Sequence, residues 1–184
     1  MKNIAILFSG NGTNLKYILE NIHNKELKVV LALTNNPNAN GINYAKEYNI
    51  PLVIEDSKKY KSREEFDKKV VEHIKSSGAE LTVLAGFMRI LTPIFTNNIK
   101  AINLHPSLLP RHKGLNAIKR SFEDEFKEGG VTVHFVTSKL DDGEIIVQKA
   151  INKENLTYEE YYQKIRKIEK EALKEAILKL TTNY

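Results

Sequence analysis

An amide and an imidazole two residues apart, Asn103 and His105, lie at the end of the predicted strand Ala101–Leu104, the first within it and the second just beyond it. Side chains two positions apart on a β-strand share one face, so both groups could reach the same point. Together they could polarise a carbonyl group and stabilise the oxyanion that forms when it is attacked. An isolated Asn-x-His is more often a pair of buried polar residues satisfied by the backbone. The loop that follows, stiffened by Pro106 and Pro110, favours a functional site, because loops beyond strand ends carry sites.

A histidine that acts near neutral pH needs a partner that sets its charge. The acidic turn Asp141-Asp142-Gly143 offers a carboxylate, which would raise the pKa of the imidazole and favour the imidazolium form. The same turn is also typical of a hairpin between two strands. His134 precedes it on a predicted strand, and we interpret it as a core histidine or one that supports the site.

A glycine-rich turn, Ser9–Leu15 (SGNGTNL), lies between the first predicted strand and the first predicted helix. Glycines allow tight turning, and free backbone N–H groups at a helix start attract an anion. Thr13 and Asn14 could add hydrogen bonds. Leu15 replaces the third glycine of a dinucleotide fingerprint, and the Gly-Lys-Ser/Thr of a P-loop is absent. The turn therefore predicts either a site for one phosphate group or a plain tight turn whose Thr13 or Asn14 caps the helix.

A carboxylate falls within the apolar face of the last predicted helix. At 100° per residue, Glu169 shares one stripe with apolar side chains at Tyr161, Ile165, Ile168, Ala172, Ala176 and Leu180. A buried carboxylate is costly unless it is paired or used. Glu169 would either meet a lysine or arginine, which is a structural role, or bind the amine of a substrate, and we favour the second interpretation.

Strands alternate with helices from the first residue, and this order is typical of an α/β fold. The predicted strands are Lys2–Ser9, Lys28–Thr34, Pro51–Ile54, Leu81–Ala85, Ala101–Leu104, Val131–Val136 and Ile145–Ile151. The predicted helices are Asn14–Ile22, Asn40–Tyr48, one from Ser62 to about Ser76, Asn116–Phe126, and one from Thr157 to about Leu180. We expect a doubly wound, mostly parallel sheet with a Rossmann-like N-terminal half. Its ligands should bind beyond the carboxyl ends of the strands.

The composition excludes several classes of protein. There is no cysteine, which rules out disulfides, thiolate zinc sites and a cysteine nucleophile. No apolar run approaches the ~20 residues of a membrane helix. The net charge is +5, and lysine supplies 23 of the 28 basic residues, which indicates a solvated surface rather than a nucleic-acid site. We expect a cytoplasmic single domain over residues 1–184, a monomer or homodimer, with small-molecule partners and no metal, nucleic acid or membrane.

Three blocks of sequence together resemble the phosphoribosylglycinamide formyltransferases, the single-domain, folate-dependent enzymes of purine synthesis. The blocks are Ser9–Leu15, Leu84–Thr92 (LAGFMRILT), and Ile102–Gly114 (INLHPSLLPRHKG) continuing to Val131–Gln148 (VTVHFVTSKLDDGEIIVQ). They span nearly the whole chain in family order. The resemblance implies the formyltransferase fold, 10-formyltetrahydrofolate as co-substrate, a phosphorylated glycinamide as acceptor, and no metal.

The resemblance also implies residue roles. The catalytic group would be Asn103, His105 and Asp141. Glycinamide ribonucleotide would be held by Gly12, Thr13, Asn14 and Glu169. The folate pocket would be lined by Arg63, Met88, Arg89, Ile90, Leu91, Asn103, Leu140 and Asp141, with the loop from Ser138 to Asp141 closing over the pterin. Pro106, Ser107 and Gly114 would shape the loop around the substrate.

The chain departs from the family pattern at Lys170, where a histidine often follows the glutamate, and at Glu144, where proline or glutamine is common. The nearest alternative is a formyltetrahydrofolate deformylase, which shares the Asn, His and Asp group but usually carries an N-terminal regulatory domain and lacks the phosphate turn. A methionyl-tRNA formyltransferase would need a further C-terminal domain. A non-catalytic nucleotide-binding module is the alternative from another class.

Overall fold

The structure is a computed structural model that describes residues 1–182. Its internal contacts divide the chain into two compact units, Met1–Ile102 and a second that begins at Asn103. The sequence-based expectation of one domain over residues 1–184 stays a prediction. No helix in residues 1–182 has the length and apolar character needed to cross a lipid bilayer.

The first unit is an alternation of parallel strands and helices. Its strands are β1 (Lys2–Phe8), β2 (Leu27–Thr34), β3 (Leu52–Ile54) and β4 (Leu81–Leu84), in the sheet order β3-β2-β1-β4. Its helices are α1 (Thr13–Asn21), α2 (Gly41–Glu47), α3 (Arg63–Ser77) and α4 (Pro93–Thr96), with a short 3₁₀ helix at Ser57–Lys59. Parallel strands are covered on both faces, and the apolar run from Ile4 to Phe8 is accordingly fully buried. This unit confirms the predicted Rossmann-like N-terminal half.

Local sequence signals set the ends of α3. The Ser62 side chain accepts a hydrogen bond from the Glu65 N–H and so satisfies one of the free amides of the first turn. Gly78 ends the helix in the left-handed conformation, with φ of 78°, that glycine adopts without steric cost. The helix predicted from Ser62 to about Ser76 is therefore confirmed.

The second unit holds the end of β5 (Ala101–His105), then α5 (Ala117–Glu123), β6 (Glu128–Phe135), β7 (Ile145–Asn152) and α6 (Tyr158–Thr181). The strand order is β5-β6-β7, and β6 and β7 are antiparallel. A full capping box starts α6: the Thr157 side chain accepts from the Glu160 N–H, and the Glu160 carboxylate accepts from the Thr157 N–H.

Several predicted boundaries were wrong. Strand β6 begins at Glu128 rather than Val131, because Glu128 already pairs with Asn152. Helix α5 ends at Glu123, where the next residue adopts extended backbone, and does not reach Phe126. The 3₁₀ helix and α4 are too short for their periodicity to be read from sequence.

The buried face of α6 is rotated slightly from the predicted stripe. Leu173 and Ile177 are fully buried, whereas Ile168 and Leu180 are only half-buried. The rotation keeps Glu169 on the buried face, with 4% of its surface exposed. The prediction of a carboxylate inside the apolar face of this helix is thus confirmed.

Candidate active site

His105 is the last residue of β5, and its ring is held between a backbone carbonyl and a carboxylate. Its Nε2 lies 2.8 Å from the carbonyl oxygen of His112, and its Nδ1 lies 3.5 Å from Oδ2 of Asp141. A carbonyl oxygen can only accept, so Nε2 carries a proton and donates it. The side chain is buried, with 8% exposed. The nitrogen that is left for chemistry is therefore Nδ1.

Asp141 lies in the loop of residues 136–144 that joins β6 to β7. Its backbone is left-handed, with φ of 51°, and its carboxylate is buried. The Gly114 N–H donates to Oδ2 at 2.9 Å, while the neighbouring Asp142 pairs with Lys113 at 2.7 Å on the exposed side. The acidic turn is thus part of a hairpin connection, as one interpretation predicted, and it also places a carboxylate beside the histidine.

Asn103 reaches the same cluster through His134 on β6. The Nδ1–H of His134 donates to the Phe135 carbonyl at 2.8 Å, which places the proton of the neutral ring on Nδ1 and leaves Nε2 as an acceptor. That Nε2 lies 3.4 Å from the Asn103 amide nitrogen and 3.7 Å from Oδ1 of Asp141. The second unit therefore brings Asn103, His105, His134 and Asp141 together, the first, second and fourth of which were predicted as the catalytic group.

The pKa of His105 is not shifted in the direction that the sequence predicts. Burial lowers its pKa below the ordinary value of histidine, and the His112 carbonyl and the Asp141 carboxylate offset this only in part. Burial acts to raise the pKa of Asp141, but contact with His134, the Gly114 N–H and the positive charge that His105 carries when it is protonated bring it below its ordinary value. The pKa of His105 therefore shifts in the direction opposite to the one that a neighbouring carboxylate alone predicts, because burial disfavours the charged ring.

The glycine-rich turn lies in the first unit and opens α1. Gly12 is the N-cap residue, with φ of 73°, and has no side chain to satisfy the free amides of the first turn. A Cβ on Gly12 would lie 2.5 Å from the Cα of Gly41 at the start of α2. The predicted cap by Thr13 or Asn14 is therefore wrong. The absence of a side-chain cap at Gly12 is compatible with the phosphate-site interpretation of this turn, because an anion can bind at a helix start.

The predicted folate segment, Met88 to Leu91, also lies in the first unit, just beyond β4. Met88 and Ile90 are 73% and 60% exposed, although both are apolar. The segment is nevertheless fixed at each end. The Met88 N–H donates to Oγ of Ser9 at 2.7 Å, and the N–H and hydroxyl of Thr92 both donate to the buried carboxylate of Asp67 at 2.8 Å.

The remaining predicted residues occupy three separate places. Arg89 stacks on the Phe66 ring at 4.5 Å, and Arg63 is exposed at the start of α3. Leu140 is 66% exposed in the loop beside Asp141. The carboxylate of Glu169 pairs with Arg166, whose Nη1 lies 3.1 Å from Oε1, which is the structural pairing that the sequence left open.

Sequence reasoning missed the backbone groups of this site. The His112 carbonyl and the Gly114 N–H hold the histidine and the aspartate, and both belong to the loop after β5. The positive φ of both residues, 56° and 82°, gives the loop its shape. Gly114 was expected to shape this loop, but no side-chain pattern could reveal a carbonyl acceptor. Within the described part of the chain, no three His, Asp or Glu side chains are grouped to hold a metal ion.

A cavity of about 470 Å³ opens beyond the carboxyl ends of β1 to β3 in the first unit. It is lined by Ser9, Asn35, Asn36, Pro37, Asn38, Asp56, Ser57, Lys58 and Met88. Ser9 donates to Oδ1 of Asn35 at 2.5 Å and so ties the glycine-rich turn to the end of β2. The cavity contains none of the predicted catalytic residues, and it adjoins the predicted folate segment only at Met88.

Comparison with known proteins identifies the family of this chain. The sequence profile of the formyl transferase family matches residues 2–177. The chain is 39% identical to phosphoribosylglycinamide formyltransferase of Haemophilus influenzae over 155 residues, or 82% of this chain and 73% of that protein. It is 36% identical to the Bacillus subtilis protein of the same name over 174 residues, or 92% and 89% of the two chains.

Among solved structures, phosphoribosylglycinamide formyltransferase from Campylobacter jejuni superposes with a TM-score of 0.96 at 52% identity, covering 98% of each chain. That agreement confirms the predicted formyltransferase fold. The chain therefore belongs to the formyl transferase family and, within it, to the phosphoribosylglycinamide formyltransferases.

Proposed function

We propose that this protein transfers the formyl group of 10-formyltetrahydrofolate to the amine of phosphoribosylglycinamide, giving formylglycinamide ribonucleotide and tetrahydrofolate in purine synthesis. The observation that carries the proposal is the cluster of Asn103, His105, His134 and Asp141 at the end of β5. It presents an amide, an imidazole and a carboxylate from one unit of a chain that belongs to this family. The co-substrate is a formyl folate, and we assign it as the 10-formyl form from the family resemblance.

The reaction needs a site that stabilises an oxyanion. The acceptor amine attacks the formyl carbon, and the carbonyl oxygen becomes negatively charged. Asn103 donates through its amide nitrogen, and His105 donates through Nδ1 once that nitrogen is protonated. Asp141, 3.5 Å from Nδ1, stabilises the protonated ring while the oxyanion exists.

Proton transfer in this scheme is balanced. The amine loses one proton as the new C–N bond forms, and the folate nitrogen gains one as its bond to the formyl carbon breaks. The neutral ring of His105 has a free lone pair on Nδ1, because its proton is held on Nε2 by the His112 carbonyl. The ring can thus take up the proton of the amine and return it to the folate nitrogen.

Each substrate would be bound by the residues that the family resemblance assigns to it. The backbone amides at the start of α1 would donate hydrogen bonds to the phosphate of the ribonucleotide, helped by Thr13 and Asn14. The exposed apolar residues Met88 and Ile90 would contact the folate, together with Arg63, Arg89, Leu91 and Leu140. Glu169 would contact the amine-bearing acceptor by exchanging its bond to Arg166.

The test is a spectrophotometric assay of tetrahydrofolate release from 10-formyltetrahydrofolate, run with and without phosphoribosylglycinamide. We expect release only when the ribonucleotide is present. Equal release without it would identify a hydrolase and contradict the proposal. No release in either case would leave a binding protein, and calorimetric titration with each substrate would then show which ligand it holds.

A further inference from the structure

The carbonyl that holds His105 belongs to a residue with a constrained backbone. His112 has φ of 56°, a left-handed conformation that is uncommon for residues other than glycine. Its carbonyl oxygen accepts from Nε2 of His105 at 2.8 Å, and Oγ of Ser107 lies 3.5 Å away. The His112 peptide must be held in place, because its carbonyl orients the ring of His105.

The side chain of His112 provides that constraint. Its Nε2 lies 2.6 Å from Oδ2 of Asp124, the residue that follows α5. The Arg111 guanidinium lies 3.9 Å from the same oxygen and stacks on the Phe126 ring at 4.2 Å. Burial acts to raise the pKa of Asp124, but hydrogen bonds from Lys153 and His112 bring it below its ordinary value. The Asp124 carboxylate is therefore ionised in the folded protein near neutral pH.

Asp124 is in turn fixed by a buried ammonium group. Lys153 follows β7 and is 8% exposed, and its Nζ lies 2.5 Å from Oδ1 of Asp124. The same Nζ donates to the carbonyls of Ser121 and Phe122, whose positions in the last turn of α5 leave them without intrahelical partners, and to the carbonyl of Asp124 just beyond the helix. The lysine thus caps α5 and pairs with Asp124, so the carboxylate has little freedom to move.

We propose that Asp124 and His112 are positioning residues for His105, acting through the His112 carbonyl to keep the proton on Nε2 and to leave Nδ1 for the reaction. Neither side chain touches His105. A ring released from the carbonyl could flip or change tautomer, and its Nδ1 would then no longer be held beside Asp141. What His105 does in the reaction rests on the proposed function, but the placement of its ring can be measured without substrate.

Two substitutions interrupt the chain of contacts at different links. His112→Asn keeps a residue type that tolerates the left-handed conformation but is too short to reach Asp124 as histidine does. Asp124→Asn keeps the shape of the side chain and removes its charge. If that substitution unfolds the chain, His112→Asn still tests the same contact. The matched control is Glu175→Gln, because Glu175 also pairs with a lysine at β7, Lys149, at 2.7 Å, and has no contact with His112.

The first readout is NMR of the full chain labelled with ¹⁵N at its five histidines, with His105 assigned by single substitution. We expect the wild-type ring, when neutral, to carry its proton on Nε2. Both variants should show a mixture of tautomers and a lower pKa of His105, because the His112 carbonyl, like the Asp141 carboxylate, raises that pKa against burial and the charges of His134 and Arg120. The control should match the wild type.

The second readout is turnover with both substrates saturating. We expect a fall in kcat of roughly tenfold in each variant, with KM for either substrate changed by less than about twofold. Folded variants with wild-type tautomer and kcat would overturn the inference, as would a wild-type ring protonated on Nδ1. If the NMR result holds but no preparation transfers formyl groups, the proposed function fails while the positioning role stands.

Discussion

Replacing Asp141 by asparagine tests how the active-site charge is used. The substitution keeps the size of the side chain and can keep an oxygen for the Gly114 N–H, now 2.9 Å away. It removes the negative charge 3.5 Å from Nδ1 of His105. In the proposed reaction this charge matters only while the ring is protonated, so the loss should fall on the transition state and not on substrate binding.

The size of the effect follows from the distance. Two unit charges 3.5 Å apart interact with about 5 kcal/mol at the effective dielectric constant of 20 that suits protein sites. An asparagine dipole aimed at the ring keeps part of this attraction, and we take half as lost, or ~2.5 kcal/mol. Since each 1.36 kcal/mol is tenfold in rate, kcat should fall on the order of 10²-fold, with KM for both substrates nearly unchanged.

The matched control is Asp142→Asn, because Asp142 is the adjacent residue of the same type and its carboxylate is exposed beside Lys113. Both variants would be assayed for tetrahydrofolate release at saturating substrate, and for thermal unfolding to exclude a folding defect. A kcat of Asp141→Asn within threefold of the wild type would refute the charge argument. An equal loss in Asp142→Asn would show that the loop, and not the carboxylate, is responsible.

Three further predictions follow from the same structure. Asn103→Ala should lower kcat on the order of 10²–10³-fold by removing one oxyanion donor, and a turnover near that of the wild type would exclude this role. Gly12→Ala should lower the free energy of unfolding by at least about 2 kcal/mol, because the φ of Gly12 is 73° and the added Cβ would lie 2.5 Å from Gly41. The control Gly10→Ala, whose Cβ would meet no atom within 4 Å, should change it by less than ~0.5 kcal/mol. Urea titrations measure both values. The pKa of His105 in the folded protein lies below its ordinary 6.5, so the unfolded chain binds more protons as the pH falls. The contribution of His105 to the free energy of unfolding is therefore fully present above pH 6.5 and is lost as the pH falls towards the folded pKa. His105→Gln should show a smaller loss of stability between pH 7 and pH 5.

The fold could be predicted where one local signal decided each element. The buried run of β1, the Ser62 cap of α3 and the capping box at Thr157 each fix a structure within a few residues, and each was confirmed. The errors lie where tertiary contacts decide. Strand β6 extends back to Glu128 because β7 is there to pair with it, and helix α5 stops early at the residue that Lys153 and His112 hold.

The site could be predicted as a set of side chains but not as a set of contacts. Alternation along β5 placed Asn103 and His105 on one face, and the contacts of the Asn103 amide with His134 and of the His105 ring with Asp141 agree with that. Alternation could not show that His134 lies between the amide and the carboxylate. A histidine between apolar residues on a strand, as His134 is, indicates a core residue. Its polar partners come from the adjacent strand β5 and from the loop after β6, which the local sequence does not show.

The protonation of His105 depends on distances and burial that the sequence alone does not supply. Sequence supplies the sign of each single influence: a carboxylate raises the pKa of an imidazole, and burial lowers it. It does not supply their relative size, which depends on a separation of 3.5 Å and on a ring that is nearly inaccessible to water. Here burial outweighs the carboxylate, so the pKa of the ring lies below its ordinary value. In the proposed reaction the oxyanion would be stabilised by a proton that the amine itself supplies, and the carbonyl that keeps Nδ1 free would then matter as much as the carboxylate beside it.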